Sequence, residues 1–346
     1  MSIGVGIIGA GAVTQSIHLP TLARLRDLFR VRHVMDVDPG TARAVAARAG
    51  SRWSTEVDEL LEDGQVDVVV VCSPPQLHAQ HVVDSARSGK SVVLCEKPLA
   101  TTVEDAATMI RVAKETGTTL LVGTMHLYDP GWVAAEGMAR ELAATTSVVR
   151  SSIVLPFNDR FERWGTEFVV APARVPPALD TVEDRARVLT QRVLGVAIHD
   201  LPLIRSLLPA WREARVSRAA LLNPTSYAVS IDAGDRVVQL TGSMRGYWRP
   251  EWQLELLADR GRLNIDFSPS FVHAGSAVAS ATVGKEHRAW GPYSTNGYEE
   301  EWRLAAQAFS DPNVVRQDPK ELLNDLEFAL AISDAAGAAM RMEAKA

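Results

Sequence analysis

A short apolar run, Ile3–Ile8, ends in Gly9-Ala10-Gly11, and a helical stretch follows. Glycines there allow a tight turn. Its backbone N–H groups, joined by those of Ala12 and Val13, can approach a pyrophosphate at the positive end of a helix. Thr14 stands where the usual dinucleotide fingerprint has its third glycine. Asp36 ends the next strand-like run, 25 residues after Gly11. A carboxylate there accepts hydrogen bonds from the adenosine ribose hydroxyls and repels the extra phosphate of NADP. Val37 offers that phosphate nothing, whereas Arg43 is close enough in sequence to keep NADP open. The expected cofactor is therefore NAD, with NADP as the alternative.

The elements that must hold these residues are legible as an alternation. Runs rich in β-branched residues at Ile3–Ile8, Val31–Met35, Val66–Val71, Val92–Cys95 and Thr119–Val122 are separated by helical stretches. Those stretches are Ala12–Phe29, Gly40–Ala49, Glu56–Glu62, Leu77–Ser88 and Val103–Thr116, the last started by Thr102 with Asp105. Apolar strands alternating with helices predict a parallel sheet covered on both faces. After Met125 the pattern changes. A helix at Pro130–Leu142 precedes a strand at Val148–Leu155, and Thr181 with Asp184 starts a helix running towards Leu208. Five runs of alternating polarity follow: Arg215–Leu221, Tyr227–Asp232, Val237–Ser243, Gln253–Ala258 and Arg262–Phe267, with a hairpin turn at Asp259-Arg260-Gly261. Helices near Glu299–Phe309 and Pro319–Met340 close the chain. The fold class is α/β: a Rossmann domain over residues 1–124, then an α+β domain over 125–346 with an open-faced, mainly antiparallel sheet. The closing helices are free to pack back on the first domain.

The 346 residues suffice for two domains, and of 8 Phe, 8 Trp and 5 Tyr only Phe29 and Trp53 precede residue 123. A net charge of −6 without a dense Lys/Arg run argues against nucleic acid or an anionic membrane as partner. No apolar stretch approaches a membrane span and no basic segment precedes Ile3, so a cytoplasmic protein is expected. Cys72 and Cys95 read as buried thiols of a reducing compartment, and no Cys/His cluster has metal-ligand spacing, so no metal is expected.

Cys95-Glu96-Lys97-Pro98-Leu99-Ala100, Ser73-Pro74-Pro75-Gln76-Leu77-His78 and Gly89-Lys90-Ser91-Val92, with Gln15 and His18-Leu19-Pro20, resemble the glucose-fructose oxidoreductase/inositol dehydrogenase (Gfo/Idh/MocA) family. The likeness is dense over about the first 130 residues. Beyond them it rests on Tyr128-Asp129-Pro130, Ile198-His199-Asp200 and the order of elements. The resemblance implies an NAD(P)-dependent enzyme that interconverts a secondary alcohol and a ketone on a sugar, sugar derivative or cyclitol. It implies that Lys97 sits beside the nicotinamide and acts on the substrate hydroxyl, with Glu96 orienting it and a cis bond before Pro98. An amine of lowered pKa suits that task. Ser73, Pro74, His78, Glu96 and Lys97 are the implied cofactor contacts in this half. A homodimer or homotetramer joined through the open sheet face is also implied, since an exposed apolar face would be a liability.

The pattern departs at the substrate end. His199 matches the family's catalytic histidine, but Gly195 stands where an Asp is common, Pro202 replaces a frequent acid, and His126-Leu127 replace paired arginines. On one continuous helix Arg192, Gly195 and His199 would share a face. The expected substrate contacts are therefore Lys97, His126, Tyr128, Arg192 and His199. Arg192 is equally readable as a surface salt-bridge partner, and His199 as a packed histidine. Asp200 is read as orienting nearby backbone. Trp164, Tyr247, Trp248, Trp290, Asn296 and Tyr298 are further sugar-facing candidates. Redox-assisted glycoside cleavage and a nucleotide-binding regulatory role are the competing functions.

Overall fold

The computed structural model of the chain describes residues 2–156, 165–171, 177–244, 250–270, 272–311, 313–314 and 318–343. Trp164, Tyr247 and Trp248 lie outside the described residues. The chain divides into two compact units. One comprises Met1–Thr124, Glu162–Ala173 and Tyr298–Leu326; the other comprises Met125–Phe161, Arg174–Gly297 and Glu327–Ala346.

The first unit is built on six parallel strands: β1 (Ile3–Ile8), β2 (Phe29–Met35), β3 (Arg52–Ser54), β4 (Val68–Val71), β5 (Val92–Glu96) and β6 (Thr119–Gly123), ordered β3-β2-β1-β4-β5-β6. The order reverses between β1 and β4, which opens a crevice at the strands' carboxyl ends. Strands β4 and β5 are buried throughout, as β-branched residues covered on both faces should be. Between the strands run α1 (Leu19–Arg24), α2 (Pro39–Ala49), α3 (Val57–Leu61), α4 (His78–Arg87) and α5 (Val103–Thr116). Asp38 accepts the Thr41 N–H at the start of α2, and Thr102 accepts that of Asp105 at the start of α5.

One long helix over Ala12–Phe29 does not form. A π-helical turn over Thr14–His18 leads into α1, which stops at Arg24, and β2 begins at Phe29. Thr14 Oγ1, Gln15 Nε2 and Ser16 Oγ donate to the carbonyls of Gly9, Ala10 and Ala12, and Pro20 has no N–H to close an α-turn. Strand β3 was not expected from the sequence. It has three residues at a sheet edge, with Arg52 and Trp53 exposed, too few to show a period.

The second unit holds an eight-stranded sheet: β7 (Thr146–Leu155), β8 (Arg215–Asn223), β9 (Ser226–Ala233), β10 (Arg236–Met244), β11 (Glu251–Ala258), β12 (Gly261–Asp266), β13 (Val278–Val283) and β14 (Glu286–Trp290). Their order is β14-β13-β12-β11-β7-β10-β9-β8. Among the described residues of this sheet, only β7 and β10 pair parallel. The expected hairpin is present, with Ala258 opposite Gly261. Strands β13 and β14 were not expected, because Ala279, Ser280 and Ala281 followed by Glu286-His287-Arg288 carry little apolar alternation.

Helix α6 (Pro130–Ala143) packs on β11–β13 and α7 (Val182–Gly195) on β8. The helix expected to run on towards Leu208 is broken. After Gly195 come Val196 at φ −121° and ψ −59°, a 3₁₀ turn over Ala197–His199, and then α8 (Leu201–Ser206). Gly195 is a weak helix former and Pro202 lacks the N–H an α-turn needs. Arg192, Gly195 and His199 therefore do not share one helical stripe. The C-terminal helices are α9 (Gly297–Ser310) and α10 (Pro319–Glu343).

The sheet face expected to be apolar carries a polar ladder at its centre. Arg150 lies between Gln239 (3.1 Å) and Glu255 (2.6 Å), and Arg262 meets the other Glu255 oxygen at 2.6 Å. The expectation of a homo-oligomer therefore rests on the resemblance alone. No helix among the described residues is long and apolar enough to cross a membrane.

Two glycines give opposite expected outcomes. A Cβ at Gly242 would overlap the buried Tyr227 ring, whereas Gly137 is exposed within α6 with open space around it. Urea unfolding should show Gly242→Ala destabilised by about 1–3 kcal/mol. Gly137→Ala should be stabilised by about 0.5–1 kcal/mol.

Candidate active site

In the first unit the expected cofactor residues gather at the carboxyl ends of the parallel strands. Gly9 follows β1 at φ 96°, and a Cβ there would come within 2.7 Å of the Cys72 carbonyl after β4. Only glycine tolerates both the angle and the approach. Gly11 is exposed, and a Cβ added to it would meet nothing within 4 Å, which leaves a cradle bare of side chains. Ala12 and Val13 continue this surface, with Val13 exposed. Asp36 Oδ2 accepts the Ala10 N–H at 2.8 Å and Oδ1 the Asp38 N–H at 3.0 Å, so the acid is tied to the glycine turn. Thr14 braces the turn through its 2.5 Å bond to Gly9 O, in the place of a third glycine. Exposed backbone at a helix start beside a fixed carboxylate suits a dinucleotide's pyrophosphate and ribose. Val37 is 79% exposed, and the Arg43 guanidinium sits over the Trp53 ring, 5.0 Å from its centroid.

Ser73 and Pro74 follow β4. Ser73 Oγ meets His81 Nδ1 at 2.9 Å, and Pro74 is exposed. His78 is buried, with Nδ1 2.8 Å from Pro98 O and Nε2 2.9 Å from Ser73 O. Its nitrogens face backbone carbonyls, so it ties two loops together. Gln15, from the resembling motif, is also structural: it accepts the Val169 N–H and donates to Val170 O.

Lys97 follows β5, and its bond to Pro98 is cis, as the resemblance implies. The side chain is half-buried. Burial pulls its ammonium below the ordinary lysine range, and the Glu96 charge opposes that fall. Glu96 is buried and accepts the Lys97 N–H at 3.2 Å. Burial pushes the Glu96 carboxyl up, but bonds and charges from His18 and Lys97 outweigh it and hold it below its usual value. The Trp302 indole N–H donates to His18 Nδ1 at 3.2 Å. An indole only donates, so when His18 is neutral its proton is on Nε2, 3.1 Å from Glu96 Oε1. Gly123 leaves room for this carboxylate, since a Cβ there would approach Glu96 Oε1 to 3.0 Å. Sequence reasoning missed Trp302 and the buried Glu301, whose carboxyl is pushed well up by burial and then by Glu96. Both lie some 200 residues after Glu96 in sequence, and no local pattern pairs them with it.

In the second unit His126 and His199 come together, with ring centroids 5.9 Å apart. His126 Nδ1 lies 2.8 Å from Oδ1 of the fully buried Asp200. Asp200 does not merely orient backbone. It also accepts from Ser151 Oγ at 2.6 Å and from the Trp252 indole at 3.1 Å. Tyr128 is 3% exposed, and the Asp129 after it caps α6 through Gly131 N and accepts the Ala277 N–H. Arg192 is half-buried and donates through Nε to Pro224 O at 2.8 Å. Gly195 is exposed, with open space where a Cβ would stand. Among the described residues no group of three or more His, Cys, Asp or Glu is placed to hold a metal.

The Gfo/Idh/MocA family model, an oxidoreductase family with an NAD-binding Rossmann fold, matches residues 3–124. The chain is 38% identical to inositol 2-dehydrogenase 1 of Saccharopolyspora erythraea over 316 residues, 90% of this chain and 86% of that protein. Matches to inositol 2-dehydrogenases 3 and 2 of that organism, at 36% and 37% identity, cover 38% and 60% of this chain and span only 39% and 54% of those proteins. Among solved structures, a UDP-N-acetylglucosamine 3-dehydrogenase from Acidithiobacillus ferrooxidans has a TM-score of 0.73 at 19% identity, covering 98% of this chain and 99% of that one. A 3-ketoreductase from Actinomadura kijaniata, solved with NADP and TDP-benzene, has a TM-score of 0.72 at 20% identity, covering 96% and 97%. At such identities these structures establish a shared fold.

Removing the Glu96 charge should lower the Lys97 pKa further. Amine labelling across pH, read on the Lys97 peptide, should show a midpoint below that of a free lysine, and Glu96→Gln should move it down by about one more unit. An unmoved or raised midpoint would contradict the coupling.

Proposed function

Because the chain belongs to the Gfo/Idh/MocA oxidoreductase family, we propose that it interconverts a secondary alcohol and a ketone on a sugar, sugar derivative or cyclitol, using NAD in preference to NADP. The observation that carries this reading is Lys97. It is a half-buried amine of lowered pKa at the carboxyl end of β5, in the same sheet whose β1 and β2 ends carry Gly9 and Asp36.

When bound, the dinucleotide supplies the hydride acceptor for oxidation and the donor for reduction. Gly9, Gly11, Ala12 and Val13 would receive its pyrophosphate, Asp36 its adenosine ribose, and Ser73, Pro74 and Glu96 the remaining cofactor surface. The Lys97 amine takes the proton from the substrate hydroxyl in oxidation and returns it in reduction. Its lowered pKa increases the fraction of neutral amine near pH 7, which favours the role of base. Glu96 holds the Lys97 backbone N–H, while His18 and Trp302 fix Glu96. His199 is the second proton-handling group. His126, buried behind its own bond to Asp200, acts indirectly. Arg192 is left out of the substrate set because its helix ends at Gly195 and its Nε is committed to Pro224.

Redox-assisted glycoside cleavage is the second reading, favoured by the open space at Gly195. It differs in one observable: product forms without net accumulation of reduced cofactor.

Two measurements test the proposal. On a panel of sugars and cyclitols with NAD, reduced-nicotinamide absorbance should report turnover, and Lys97→Met should lower kcat by about 10²–10⁴-fold with cofactor binding retained. Full turnover by that variant would overturn the role of Lys97. For cofactor choice, Asp36→Ser should shift the kcat/KM ratio from NAD towards NADP by about tenfold or more. An unchanged ratio would remove Asp36 as the determinant.

A further inference from the structure

The second unit contains a carboxylate that the proposed reaction does not use directly. Asp200 is fully buried, and three side chains donate to it: His126 through Nδ1, Ser151 through Oγ and Trp252 through Nε1. A carboxylate accepts only, so the His126 proton on this side is on Nδ1. The ring is held on its other sides as well. Phe267 stacks on it at 3.7 Å between centroids and 11° between planes, and Trp252 meets it edge-on at 4.7 Å. His126 Nε2 is sealed from solvent and has no hydrogen-bond partner among the described residues. A buried imidazole nitrogen in that state is costly unless its lone pair or proton is used. The half-buried His199 ring stands 5.9 Å away and shares the Trp252 edge at 5.4 Å.

We propose that Asp200 and His126 form a positioning dyad: Asp200 fixes His126 as the Nδ1–H tautomer, leaving Nε2 as a buried acceptor, and it is the carboxylate set behind the His126/His199 pair. The proposal rests on the reading that His199 handles a substrate proton, and it adds the groups that stand behind His199. A negative charge a few ångströms from an imidazole favours the imidazolium.

The other groups facing the pair do not replace Asp200. Asp129 couples electrostatically to His126, but burial raises its pKa and both its oxygens are engaged by backbone N–H groups. Tyr227 couples to Asp200, and burial raises its phenol so that it stays neutral. Arg192 couples to Tyr227 as a cation. Ser151 and Trp252 are uncharged donors. Asp200 is thus the carboxylate that meets the pair directly.

The full chain labelled with ¹⁵N-histidine supplies the test, with resonances assigned through His126→Gln and His199→Gln. In the wild type, neutral His126 should appear as the Nδ1–H tautomer. Asp200→Asn should lower the titration midpoints of His126 and His199 by about one unit. Ser151→Ala takes one donor from the same carboxylate, makes it hold the shared proton harder and should move the midpoints up. If Asp200→Asn fails to fold, the wild-type tautomer and Ser151→Ala decide the matter. An Nε2–H tautomer for His126, or midpoints unmoved in folded variants, would overturn the dyad. With NAD and the panel substrate that turns over, the acidic limb of kcat should move down with the midpoint in Asp200→Asn, with KM changing less. Turnover on none of the panel would overturn the proposed activity instead, while the NMR result would still decide the dyad.

Discussion

The first unit is organised by a close approach of two backbones. Gly9 turns at φ 96° against the Cys72 carbonyl, which brings the end of β1 beside the end of β4 at the point where strand order reverses. A larger residue would force the two strand ends apart. With them together, the Ala10 N–H reaches Asp36, Thr14 closes back on Gly9, and a helix start is left bare at Gly11. The same sheet edge carries Ser73 after β4 and Lys97 after β5. The bare glycine turn and the half-buried amine of Lys97 thus lie at the carboxyl ends of one sheet.

Each unit then solves the same electrostatic problem, a carboxylate removed from water. In the first, Glu96 is satisfied by His18 and the Lys97 N–H, and His18 is fixed in turn by Trp302. In the second, Asp200 is satisfied by His126, Ser151 and Trp252. Buried charges are tolerated when donors surround them, and removing one partner leaves a costly orphan. Both networks therefore hold their members in one geometry. The amine of Lys97 feels burial and Glu96 in opposition, which leaves it less basic than a free lysine.

Much of the parallel half was legible in the sequence because strand, glycines, helix and acid recur at fixed chain spacing. Thr102 and Asp105 marked a helix start where α5 begins. What escaped notice depended on tertiary contact. Strand β3 is too short to show a period, and the Thr14–His18 turn follows from side-chain-to-carbonyl bonds that propensity does not report. The stripe expected from Arg192 to His199 failed because Gly195 and Pro202 break the helix. Asp200 was undervalued since its partners stand 74, 49 and 52 residues away.

The central claim is that this chain moves a hydride between a polyol carbon and a nicotinamide. It is tested most directly by incubating the full chain with NAD and a panel of carbon-deuterated sugars and cyclitols, then locating the label by mass spectrometry. Deuterium should accumulate on the nicotinamide ring in step with ketone formation. Bound NAD with deuterium remaining in every compound of the panel would contradict it.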